Sequence, residues 1–69
     1  MEAEAVLKAV TRVLKERVNR PPQIVYVLLN NGTCLYVDGA HITENGFLQF
    51  QLRGMLTTVV PPNAIQGVE

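Results

Sequence analysis

Residues 23–33, QIVYVLLNNGT, decide how the rest of the chain is read. Ile24 to Leu29 are all apolar or strongly strand-forming and run directly into Asn31-Gly32. That dipeptide has the backbone tolerance of a two-residue type I′ hairpin turn, so the stretch predicts a strand and its return. Side chains alternate across a strand, which puts Ile24, Tyr26 and Leu28 on one face and Val25, Val27 and Leu29 on the other. With both faces apolar, the strand is expected to be covered on both sides.

Working outward towards the N-terminus, Val6, Leu7, Val10, Val13, Leu14 and Val18 fall on one stripe of an α-helix over residues 3–19. Glu4 and Lys8, then Arg12 and Glu16, are opposite charges four residues apart, and acids open the helix while bases close it. Pro21-Pro22 withhold two amide donors and end it by Arg20. The stripe is expected to lie on one face of the 24–29 strand, as the first of its two covers.

Towards the C-terminus, Cys34-Leu35-Tyr36-Val37 returns as a second strand and meets Asp38-Gly39. Those two residues either close a hairpin of very short strands or bend one long strand, Cys34–Thr43. We read a bend, because the long strand pairs naturally with the next apolar stretch and glycine permits it. Glu44-Asn45-Gly46 is a hairpin signal before FLQFQL, where Leu48, Phe50 and Leu52 alternate with Gln49 and Gln51. Arg53-Gly54 turns the chain into Met55–Val60, and Pro61-Pro62 end that strand. Asn63-Ala64-Ile65 reads as a short helical link before a last short strand.

The predicted fold is therefore α+β: an N-terminal helix, then a four- or five-stranded antiparallel, strongly bent meander forming a small barrel. It is one domain, 1–69, with the helix in 1–20 and the meander in 23–69. The barrel interior would be the second cover of residues 24–29.

Composition narrows the function classes. At 69 residues, 48% hydrophobic and only 17% charged, a monomer would be marginal and poor in surface charge, which favours a homo-oligomer. Net charge is zero, but Lys8, Arg12, Lys15, Arg17 and Arg20 against Glu2, Glu4 and Glu16 leave the first twenty residues at +2. The remainder holds Arg53 against Asp38, Glu44 and Glu69 and stands at −2. Phosphate neutralisation dominates non-specific nucleic-acid affinity, so a single arginine across the strands disfavours RNA on that surface. One cysteine, Cys34, permits no internal disulfide and, with the lone His41, no zinc pattern. These features predict a cytoplasmic, reducing setting, no cofactor or metal, and no membrane partner. The acidic Met1-Glu2-Ala3-Glu4 start is the opposite of a basic secretory leader.

Catalytic inventory is thin. His41 and Cys34 are seven residues apart, roughly 20 Å along an extended strand, too far for a nucleophile and its base. Cys34 reads as a small buried residue and His41 as a half-exposed strand residue. Asp38 and Glu44 read as turn residues rather than paired carboxylates. No enzyme is predicted.

Two stretches carry a family resemblance. VYVLLNNGTCLYVDGAHI (25–42) resembles the first motif of the Sm and Sm-like family, an apolar strand ending at a glycine turn, then a strand with an internal glycine. VVPPNAIQGVE (59–69) is similar to its second motif. The resemblance implies an N-terminal helix on a bent SH3-like small barrel that forms rings through its edge strands and binds RNA. Where most members carry Arg-Gly, or Lys-His in the bacterial RNA-chaperone branch, this chain has Pro61-Pro62, which removes the side chain that would contact base or phosphate. On this reading Tyr36, His41, Asn45 and Asn63 are the candidate ligand or RNA contacts. Tyr26, Phe47, Met55 and Val59 are the candidate oligomer-interface residues. Tyr26, Tyr36 and Phe47, placed near opposite ends of the first hairpin and beyond it, read chiefly as core or interface aromatics, with a stacking or partner-anchoring surface as the alternative.

Overall fold

A computed structural model describes all 69 residues. Helix α1 spans Ala3–Glu16 and is followed by strands β1 (Val25–Leu29), β2 (Cys34–Val37), β3 (Gly39–Ile42), β4 (Leu48–Leu52) and β5 (Met55–Val60). A single 3-10 turn, Pro62–Ala64, leads into β6 (Ile65–Val68). The strands form two antiparallel three-stranded sheets, ordered β2-β1-β6 and β3-β4-β5.

Asp38 is the only residue between β2 and β3, and these two strands take different partners, β1 and β4. Asp38-Gly39 is thus a bend in one long strand that serves both sheets. A Cβ on Gly39 would come within 2.5 Å of Gln51 Nε2 and 2.9 Å of its Cγ, so glycine is needed here for the close approach of the Gln51 side chain.

The turns differ from expectation in an instructive way. Gly32 N–H donates to the Leu29 carbonyl (3.0 Å) and Leu29 N–H to the Thr33 carbonyl (2.8 Å). Gly32 alone in that loop has positive φ, +90°. This is a type I turn followed by a left-handed glycine, a three-residue loop rather than the two-residue type I′ turn. Thr43–Phe47 repeats it, with bonds of 2.9 and 2.8 Å and Gly46 at φ +79°. The type I′ turn is instead Arg53-Gly54, with φ +53° and +79° at its two central residues and Leu52 paired with Met55.

All ten buried residues belong to one core: Val6, Val10 and Val13 of α1, Val25 and Val27 of β1, Val37, Leu48, Phe50, Val60 and Ile65. This corrects the expectation of two covers for residues 24–29. The helix packs against β1, β3 and β6 and shares one interior with both sheets. Only the Val25 and Val27 face is fully enclosed; across the pleat Tyr26 is exposed and Leu28 half-buried. The helix is also shorter than predicted, ending at Glu16, so Val18 leaves the apolar stripe and is 64% exposed. No helix is long and apolar enough to cross a membrane.

Candidate functional site

The loop geometry fixes where the chemistry-bearing side chains fall. A two-residue turn at Asn31-Gly32 would set Tyr26 opposite Val37, whereas the observed three-residue loop shifts the ladder by one residue and pairs Tyr26 with Tyr36. The tyrosines are therefore direct cross-strand neighbours, a correction to their placement at opposite ends of the hairpin. Their ring centroids are 5.2 Å apart and their planes meet at 71°. Both are outside the core, Tyr26 at 36% and Tyr36 at 58% exposure.

Arg17, just past the end of α1, completes this surface. Its guanidinium carbon lies 5.5 Å from the Tyr26 ring centroid, and its Nη1 donates to the Ile24 carbonyl. Anchoring a guanidinium on a ring face leaves its remaining N–H donors available to an anion. Arg20 and Pro22 adjoin it in a shallow concavity that Glu16, Arg17 and Tyr26 also line. Sequence reasoning missed Arg17 and Arg20 as site residues: the predicted helix over 3–19 took in Arg17 and ended by Arg20, which gave no sign that a turn at 17–20 would bring Arg17 over β1.

The other predicted contacts do not converge. His41 is exposed on β3 opposite Gln49, and Asn45 is exposed in the Thr43–Phe47 loop. Asn63 is exposed in the 3-10 turn, where its carbonyl accepts from Asn30 Nδ2 at 2.7 Å. None of these three, nor Tyr36, lines any of the three surface concavities. Phe47, at 38% exposure, precedes β4, and its N–H donates to Thr43 Oγ1 (3.1 Å). Cys34 is a correction: it is exposed, because it shares the outer face of β2 with Tyr36 while Leu35 and Val37 point inward.

A second surface lies on β5. Met55, Leu56 and Val59 are 72%, 64% and 49% exposed, and β5 is an edge of its sheet. Gln49 pairs with Val59 and Gln51 with Leu56, so Thr57 and Thr58 together oppose Phe50 in a bulge. The bulge resets the alternation and puts Leu56 and Val59 on the outer face with the two glutamines. Leu56, which sequence reading left out, is the fuller partner of Val59 there.

No three His, Cys, Asp or Glu side chains lie close enough together to hold a metal ion. Comparison of the chain with protein-family models, curated proteins and solved structures finds no match.

Proposed function

We propose that this chain is a small, non-enzymatic binding or adaptor module that assembles with copies of itself. The observation that carries this reading is the β5 edge, which exposes Met55, Leu56 and Val59 and has no charged residue or proline along its length. Edge strands of monomers are usually blunted by lysine, proline or a bulge, and here only the bulge is present. Because β2 and β3 are one bent strand, the two sheets join into a bent meander, with β2 and β6 at the edges of one sheet and β3 and β5 at the edges of the other. That meander supports the small SH3/Sm-like barrel, with pairing between the β5 edge of one copy and a neighbour as the route to assembly. The exposed thiol of Cys34 suits the reducing cytoplasm. Light scattering at micromolar concentration tests the reading: a multiple of the monomer mass is expected, and a compact monomer overturns it.

The second reading, an Sm-like RNA-binding ring, is favoured by that bent strand together with the bases gathered on and after α1. Filter binding against U-rich and A-rich oligonucleotides at physiological salt tests it. Retention that falls with rising salt supports it, and no retention rejects it.

A further inference from the structure

We infer that the Tyr26–Tyr36 corner and the arginines beside it form a docking site for an acidic, proline-containing peptide segment of a protein partner. The inference rests on the reading of the chain as a binding module and names what it binds. Two exposed aromatic rings form a cross-strand pair on the outer face of the β2-β1-β6 sheet, where no element of this chain packs over Tyr36. Because the rings meet at 71°, they offer a corner rather than a flat platform. A corner of aromatic walls suits the puckered pyrrolidine rings of an extended proline-rich segment, which loses little conformational entropy on docking. A flat nucleobase is served better by an open parallel face.

Charge selects the same ligand. Arg17 is already held in place by the Tyr26 ring and the Ile24 carbonyl, and Arg20 stands next to it in the concavity. Glu16 lines the same concavity, so two cations and one anion leave it at +1. That is enough to balance one carboxylate, with the two guanidiniums offering N–H donors to the acidic residues that flank the prolines. It is too little for the row of phosphates that a nucleic-acid strand brings, since affinity for a strand grows with the number of phosphates neutralised.

The test tracks the tyrosine ring resonances by NMR in the full chain, after its oligomeric state at the same concentration has been recorded. The probes are a synthetic peptide with two prolines followed by two aspartates, the same peptide with lysines replacing the aspartates, and single-stranded oligoadenylate. The expected result is saturable shifts of both tyrosines with the aspartate peptide only, weakened about tenfold or more by Tyr36→Ala and also by Arg20→Glu. Both substituted residues are exposed and outside the core, and the far-ultraviolet dichroism and melting temperature of each variant are recorded so that loss of binding is scored only on folded protein. Equal response to the two peptides, no response to either, or a stronger response to oligoadenylate overturns the inference. Since assembly is scored separately, loss of peptide binding with assembly intact condemns the ligand alone.

Discussion

The carboxylate of Asp38 accepts the backbone N–H of Arg53 at 2.9 Å, joining residues fifteen apart in sequence. The Asp38 N–H in turn donates to the Gln51 carbonyl at 2.9 Å. The bend of the long strand is thereby fastened to the type I′ turn, whose two central residues hold left-handed conformations. Asp38→Ala removes the acceptor and is expected to cost about 1 kcal/mol, with Asp38→Asn recovering most of it through its amide oxygen. Urea denaturation of the three proteins checks this, and equal midpoints would refute it.

Gly54 and Gly39 are predicted to fail for different reasons when replaced by alanine. At Gly54, φ is +79° and nothing lies near the added methyl, so the cost is backbone strain alone, about 1 kcal/mol. At Gly39 the cost is collision with the Gln51 side chain, so Gly39→Ala combined with Gln51→Ala should lose less than the two changes summed. A double-mutant cycle by thermal or urea unfolding reads the difference, and strict additivity would show that the collision is not the cause.

Phe50 is fully buried and is the largest side chain of the single core. Phe50→Ala is expected to cost about 3 to 5 kcal/mol. A chain of this size has a total stability of roughly 3 to 10 kcal/mol, so much of the population should be unfolded at 25 °C. Circular dichroism showing a fully native spectrum and an unchanged melting temperature would contradict this.

At the β5 edge, Leu56→Lys with Val59→Lys places two charges on the outer face without touching the core, since both side chains are already exposed. The expected outcome is a monomer that melts within a few degrees of the parent, as surface changes usually move stability by about 0.5 kcal/mol or less. An assembly of unchanged mass would place the interface elsewhere.

Arg17→Ala removes both the guanidinium over Tyr26 and the bond to the Ile24 carbonyl. It is expected to lower stability by about 1 kcal/mol and to alter the near-ultraviolet dichroism of the tyrosines, whereas Arg12→Ala on the exposed helix face should do neither. Matching spectra for the two variants would remove Arg17 from the tyrosine site.

Local rules made much of the architecture legible. The stripe of Val6, Val10 and Val13, the alternation of Leu48 and Phe50 with the glutamines, and the proline and glycine punctuation place the helix and every strand within a few residues. The bend at Asp38-Gly39 was readable too, because one long bent strand pairs naturally with the stretch that follows, whereas a tight turn would leave only short strands on either side. Three features were decided only by tertiary structure. The apolar run Ile24–Leu29 could not reveal that helix and second sheet share one interior, since hydrophobicity states a need for burial and not a direction for it. The tyrosine pair depends on a one-residue register shift set by left-handed φ at Gly32 alone, and Asn-Gly fits either loop. The placement of Arg17 over Tyr26 depends on where α1 stops and how the Pro21-Pro22 turn returns the chain across β1, a geometry no local pattern encodes.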